Sequence, residues 1–235
     1  MAGVRTLVLW DVDHTLLSIG DLSGQIYAEV FEDVTGRPMQ QLADMTGRTD
    51  RAIITATLRL HGIEPTEDLV VRFATALGRA FDARRADLAA RGKELPGARA
   101  ALAALTRQPV IQSLLTGNME PIARCKLAAF CLGEFVDFSV GAYGLDDAER
   151  PPLVRLARKR AEAKYEQPFD EYSTVLIGDT PLDVTAGHEG GARVVAVATG
   201  ASDSDELRSA GAEIVLADLT DTGAVVRAVL RATQR

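Results

Sequence analysis

The chain has 235 residues, enough for one large domain or a core with a modest insert, and enough to remove roughly 70% of its unfolded surface from water. Hydrophobic residues make up 47% and charged residues 25%, with no biased tract, which excludes disordered, collagenous and mini-protein classes. With 26 basic against 33 acidic residues the net charge is −7, and only one tryptophan, four tyrosines and seven phenylalanines are present, so the basic footprint of a nucleic-acid binder is missing.

Val4 to Trp10 is the first run of strand length. Its continuous apolar part, Leu7 to Trp10, ends at Asp11, too short for a signal peptide or a membrane span, so a soluble, cytoplasmic protein without a membrane partner is expected. From about 19 to 94 the periodicity is helical and no strand candidate occurs. Leu22, Ile26 and Val30 with Tyr27, Phe31 and Val34 mark one helix, and Ile53, Thr57 and Leu58 a second. Leu69, Phe73, Leu77 and Phe81 mark a third, opened by Thr66 as N-cap, and Pro96-Gly97 ends the segment. Beyond it come strand-length runs at Val110–Leu115, Thr174–Ile177, Val194–Ala198 and Ile214–Leu216, separated by helical stretches. Val136, Phe138 and Val140 alternate, predicting a shorter peripheral strand. Unbroken apolar strands alternating with helices imply an α/β fold: a Rossmann-like parallel sheet over 1–18 and 95–235, with 19–94 inserted as a helical cap domain. Cys125 and Cys131 lie six apart in a segment that reads as helix, hence on different faces, so no mutual disulfide and a reducing compartment are expected.

In an open parallel sheet, ligands bind beyond the carboxyl ends of the strands. Three strands end in polar groups: Asp11-Val12-Asp13-His14-Thr15, Thr116-Gly117-Asn118 and Gly178-Asp179-Thr180-Pro181-Leu182-Asp183. Asp11 and Asp13 are two apart, so they face the same side while the chain stays extended. Taken singly, each cluster has a plainer reading. Strand ends are often acidic turns, Thr116 and Asn118 suit a turn, and Asp183 reads as capping-box partner of Thr180 with Pro181 as first helical residue. Convergence changes the balance. Two carboxylates 4 Å apart repel by about 4 kcal/mol at an effective dielectric near 20, so up to four in one crevice require raised pKa values or a cation. An oxygen-only donor set suits Mg²⁺, and with His14 the one His or Cys nearby, zinc is disfavoured. Such a site is fitted to phosphoryl transfer, with one carboxylate attacking phosphorus, the other handling the leaving-group proton, and the Thr116 hydroxyl with nearby amides holding phosphoryl oxygens.

Asp-x-Asp-x-Thr-Leu at 11–16, Leu-Leu-Thr-Gly-Asn at 114–118 and Gly-Asp-Thr-Pro-x-Asp at 178–183, in this order, resemble the haloacid dehalogenase superfamily, particularly its phosphoglycolate phosphatase-like members. The resemblance covers nearly the whole core. It implies an aspartyl-phosphate mechanism with Asp11 as nucleophile, Asp13 as general acid and then base, and Thr116 as the phosphate hydroxyl. Thr15, Gly117 and Asn118 would border the substrate. Mg²⁺ would be held by Asp11, the Asp13 carbonyl and Asp179, with Asp183 ligating directly or through water. A basic side chain belongs beside the nucleophile; Arg150, just before Pro151-Pro152, is favoured, and Lys126 is its competitor. His14 stands where many relatives carry glycine and is read as solvent-facing at the cap hinge, while His61 and His188 are read as structural. Within the insert, Gly47-Arg48-Thr49-Asp50 resembles a cap loop reaching the substrate. Arg48 either pairs with a substrate carboxylate or merely precedes a helix capped by Thr49.

The function these residues predict is a Mg²⁺-dependent phosphatase acting on a small phosphorylated metabolite. Haloacid dehalogenases and phosphonate hydrolases generally lack the second aspartate, so Asp13 argues against both. A phosphomutase of the β-phosphoglucomutase type keeps both aspartates and is the alternative. A non-catalytic module phosphorylated on an aspartate is about half this length and has no helical lid. A dinucleotide binder is weaker still, since no Gly-x-Gly-x-x-Gly follows the first strand.

Overall fold

Residues with apolar side chains on both faces of a strand demand cover on two sides. The computed structural model describes residues 5–234 and places Thr6–Trp10 as β1, four of its five residues buried. The chain then runs through β2 (Leu17–Ser18) and the helices α1 (Leu22–Thr35), α2 (Asp50–Leu60), α3 (Glu67–Ala83) and α4 (Arg85–Arg91), and returns through β3 (Lys93–Glu94). After α5 (Ala98–Leu105) follow β4 (Val110–Thr116), α6 (Glu120–Ala129), β5 (Ala142–Tyr143), α7 (Arg150–Tyr165), β6 (Thr174–Gly178), α8 (Pro181–Gly190), β7 (Arg193–Val197), α9 (Ser204–Ser209), β8 (Ile214–Leu216) and α10 (Thr222–Ala232).

The six-stranded sheet has the order β5-β4-β1-β6-β7-β8, every pair parallel. β1 lies between β4 and β6, with Trp10 level with Leu114 on one side and Ile177 on the other, so all three strands end at one edge. Alternation sends neighbouring side chains to opposite faces. Leu7 and Leu9 pack with Leu153 and Ala157 of α7 and Ala186 of α8. Val8 and Trp10 join Leu102 of α5 and Val229 of α10 in a cluster that continues without a break into Phe31 and Phe73 of the inserted helices. The Trp10 indole N–H donates to Gln112 at 3.0 Å, and the Gln112 amide donates to the Leu102 carbonyl at 2.9 Å, so the polar side chain that Gln112 brings into this layer is satisfied where it meets the sheet.

The inserted helices follow their apolar stripes. Leu22, Ile26, Tyr27, Val30 and Phe31 are buried on α1, and Phe73, Leu77 and Phe81 on α3, whose N-cap Thr66 accepts from the Leu69 amide. Two differences from the sequence reading stand out. β2 and β3 pair antiparallel, Leu17 with Glu94 and Ser18 with Lys93, joining the outgoing and returning chain beneath the helices; two residues are too few for a period of two to register. The peripheral strand expected at Val136, Phe138 and Val140 is absent. Phe138–Val140 is a 3₁₀ turn capped by Asp137, whose side chain accepts from the Ser139 amide at 3.1 Å and so takes the place of a ladder bond. The edge strand is β5, two residues further on. Cys125 is buried on α6 and Cys131 is exposed just beyond its end; both are free thiols. Among the described residues no helix is long and apolar enough to cross a membrane.

Candidate active site

The Asp11 amide still donates to the Ile177 carbonyl at 2.8 Å, so the residue continues the β1 ladder while its carboxylate emerges at the sheet edge, 6% exposed. The chain turns at once: Leu16 donates back to Val12, and His14 donates to Leu17 from a left-handed conformation with φ 61°. That positive φ is the physical reason a glycine suits this position. His14 itself is exposed, and its carbonyl accepts from the Thr199 hydroxyl at 2.6 Å.

At the end of β6, Asp179 is buried and accepts from the Thr15 hydroxyl at 2.9 Å. Thr180 caps α8 and forms a reciprocal capping box with Asp183. Asp183 takes the capping role that its position suggests through one oxygen, while its other oxygen meets Arg150. Arg150, the first residue of α7, is 6% exposed; its guanidinium donates to Asp183 and, at 3.1 Å, to Asp11. Oxygens of Asp11, Asp179 and Asp183 all lie within 4.8 Å of one another. Burial, then the charge of Asp183, pushes the Asp11 carboxyl well above its usual range against the opposing pull of Arg150. Burial and Asp183 likewise push Asp179 up to about 7. Three buried carboxylates facing one guanidinium form a hard, oxygen-only donor set with an excess of negative charge, which fits a divalent cation such as Mg²⁺.

Asp13 belongs to a second, separate cluster. Lys126, 2% exposed on α6, donates to both Asp13 oxygens at 2.8 and 2.7 Å and to the Asn118 carbonyl oxygen at 2.7 Å. The Asn118 amide donates to Asp13 at 2.6 Å and to the Thr116 hydroxyl at 2.9 Å. Burial raises the Asp13 carboxyl, but the Lys126 charge and these hydrogen bonds outweigh it and hold the group below its usual range. Two carboxylates two residues apart thus shift in opposite directions: at Asp11 burial and the charge of Asp183 outweigh Arg150, whereas at Asp13 Lys126 and Asn118 outweigh burial.

The three strand ends therefore meet in one cleft, a cavity of about 450 Å³. Asp11, Asp13, Thr116, Gly117, Asn118, Lys126, Arg150, Asp179 and Arg48 all line it. Lys126 and Arg150, set against each other in the sequence reading, occupy different halves of the site. Two expected residues do not line the open cleft: Asp183 lies behind Asp11 and Asp179, within ligand distance of both and bonded to Arg150 and the cap of α8, and Thr15 is fully buried with its hydroxyl turned to Asp179. Thr49 caps α2, and Arg48 reaches the cleft with its guanidinium 3.4 Å from the Asp44 carbonyl. Sequence reasoning missed Thr199 and Gly200, which line the cleft after β7; the strand-end rule applied to that run as well signals them. It quoted Asp50 only within the Gly47–Asp50 loop and Tyr27 only in the stripe of the first helix, and gave neither a role, whereas their side chains meet on the cleft wall at 2.6 Å. An aspartate opening a helix reads only as a dipole partner, so nothing local marks it.

The family model of the haloacid dehalogenase-like hydrolases matches residues 8–188. No curated protein matches the chain. Among solved structures it is similar to CbbY from Rhodobacter sphaeroides in complex with phosphate, with 20% identity, TM-score 0.72, and coverage of 93% of this chain and 96% of that one. A hydrolase from Pseudomonas syringae has 23% identity and TM-score 0.67 over 92% and 95% of the two chains. A predicted phosphoglycolate phosphatase from Haemophilus somnus has 19% identity and TM-score 0.62 over 96% and 100%. A family match across that span, on a sheet whose central strands carry their acidic tips to one cleft, makes this chain a member of the haloacid dehalogenase-like hydrolases.

Proposed function

We propose that this chain is a Mg²⁺-dependent phosphomonoesterase that hydrolyses a small phosphorylated metabolite through an aspartyl-phosphate on Asp11. The observation that carries this reading is the division of the cleft into an Asp11–Asp179–Asp183 group beside Arg150 and an Asp13–Lys126–Asn118 group. Asp11, Asp179 and Asp183, with the Asp13 carbonyl, are the residues that would hold Mg²⁺. When bound, the ion supplies positive charge against the phosphoryl oxygens and keeps Asp11 ionised.

An Asp11 oxygen bonds to phosphorus as the bond from phosphorus to the ester oxygen breaks, and Asp13 in its acid form gives that oxygen its proton. Asp13, now a carboxylate, takes a proton from the water that attacks phosphorus and releases Asp11. Because Lys126 and Asn118 hold Asp13 ionised in the free protein, its resting form is the base of the second step. Its acid form arises with the anionic substrate, whose charge raises the proton affinity of Asp13. Thr116 and the Asn118 region hold the phosphoryl group. Arg150 adds positive charge beside the nucleophile through the guanidinium nitrogen that already meets Asp11 and Asp183. The helices between β2 and β3 act as a cap that shields the cleft from water, and Arg48 is the cap residue that meets a polar or anionic part of the leaving group.

A panel of phosphorylated metabolites with Mg²⁺, including phosphoglycolate and short sugar phosphates, tests the reading. Free phosphate from at least one compound, lost by about 10³-fold or more in folded Asp11→Asn, is the expected result. Isomerised sugar phosphate without free phosphate means a mutase. Undiminished turnover by Asp11→Asn removes the nucleophile assignment.

A further inference from the structure

We propose that Asp50, on the inserted helices, is a positioning residue that locks the loop Thr116–Met119 into its working geometry only while the insert is docked on the sheet edge. Asp50 opens α2 and is 4% exposed. One of its oxygens accepts from the Tyr27 hydroxyl at 2.6 Å; the other accepts from the Met119 amide, across the cleft wall, at 2.7 Å. Among the described residues it forms no ion pair. A buried carboxylate held only by a phenol and an amide is costlier than an apolar residue of the same size, so its presence calls for a task beyond packing.

The surrounding backbone shows what that task is. The Asp50 amide donates to the Gly117 carbonyl at 2.7 Å, the Arg51 amide to the Gly144 carbonyl at 2.9 Å, and the Thr49 hydroxyl to the Ala148 carbonyl at 2.8 Å. The joint is so close that a Cβ on Gly117 would lie 2.1 Å from the Arg48 carbonyl oxygen. Gly117 and Met119 flank Asn118, and both peptides that anchor Asn118 are therefore gripped from the insert. Asn118 in turn joins Asp13, Thr116 and Lys126. Undocking removes the acceptor of the Met119 amide and the donor to Gly117 together, which frees Asn118 and with it the group that orients Asp13. The site is complete only when the insert is in place.

The kinetic part of this inference rests on the phosphatase reading; the docking part does not. Deuterium exchange on the metal-free protein, followed by mass spectrometry, reads the docking part. Asp50→Ala raises exchange in peptides holding 49–51 and 117–119 by tenfold or more, while peptides from β1 and β6 stay at the wild-type level. Turnover, normalised to the folded fraction, falls about 10²-fold, the scale of a misplaced catalytic group. Asp50→Asn restores both to within about threefold, because its carbonyl still accepts from Met119 and its amide can donate to the Tyr27 oxygen. Tyr27→Phe, which removes one hydroxyl, shows the same pattern more weakly and serves if Asp50→Ala does not fold. Unchanged exchange at 117–119, unchanged normalised turnover, or an Asn variant as impaired as the Ala variant overturns the proposal. A wild-type protein inactive on the whole phosphate-ester panel removes the phosphatase reading instead and leaves the exchange data to decide the docking.

Discussion

Lys126 donates to both carboxylate oxygens of Asp13 across 113 residues of chain. The pair is unequal in its surroundings: the Lys126 side chain is 3% exposed and that of Asp13 33%. Both groups are withdrawn from bulk water, the lysine more completely, and its ammonium is held by Asp13 and Asn118.

This inequality separates stability from activity. Removing one partner of a buried pair is costly where the charge left behind is sealed from water, but the Asp13 side chain is 33% exposed and keeps the Asn118 amide, so loss of Lys126 strands no fully buried charge. Lys126→Met is expected to melt within a few degrees of the wild type or above it, while kcat for the best phosphate ester falls by about 10²-fold or more. In a double-mutant cycle with Asp13→Asn, the kinetic losses should be far less than additive. Parallel losses of melting temperature and activity, or full additivity, would show that Lys126 serves the fold alone.

The carboxylate triad predicts a metal-linked gain in stability. A ligand present at about 100 times its Kd stabilises the folded state by about 2.7 kcal/mol, which for a chain of this size raises Tm by roughly 5–10 °C. Mg²⁺ is expected to give such a shift relative to EDTA. Gly200→Ala is the control, because a Cβ there would stand 1.9 Å from an Asp179 oxygen and must displace the carboxylate. The variant should fold and lose most of the Mg²⁺ shift. Equal shifts in the two proteins would count against Asp179 as a ligand, and no shift in the wild type would count against the metal.

Acid dependence should be visible away from the cleft, at Asp137. Burial raises this carboxyl, but hydrogen bonds from Lys164, Tyr165 and Ser139 outweigh it and hold it at about 2, below the usual 3.8. A depressed folded-state pKa contributes stability above the unfolded value, and that contribution is lost as pH falls through the folded one. The cluster lies at the surface, with the Asp137 side chain 21% and that of Lys164 47% exposed, so screening limits the effect to about 1 kcal/mol or less. Urea unfolding of wild type against Asp137→Asn should therefore show a small, constant difference from pH 7 to about 5, shrinking as pH falls from about 4 toward 2. A difference that grows with acid would reverse the sign and refute the assignment.

Much of the fold was legible because its signals are local. Five of the six sheet strands show as apolar runs, and the stripes on α1 and α3 appear at helical spacing. The strands that escaped notice, β2, β3 and β5, are each two residues long, and the alternation at 136–140 was overridden by the turn chemistry of Asp137. In the site, the acidic tips of β1 and β6 and the Thr-Gly-Asn turn after β4 were legible for the same reason: each is a short motif attached to one strand.

The amino-acid sequence by itself determined that this is an α/β chain with a helical insert and that three of its strands end in polar clusters, since periodicity and strand-end motifs are properties of neighbouring residues. Only the tertiary structure decided that Arg150 meets Asp11 across 139 residues while Lys126 meets Asp13, that Thr15 turns inward, and that Asp50 grips the Met119 amide across 69. Which cation faces which carboxylate depends on how helices far apart in the chain pack around one sheet edge, and that packing follows from apolar surface burial, which leaves no mark beside the charged residues it brings together.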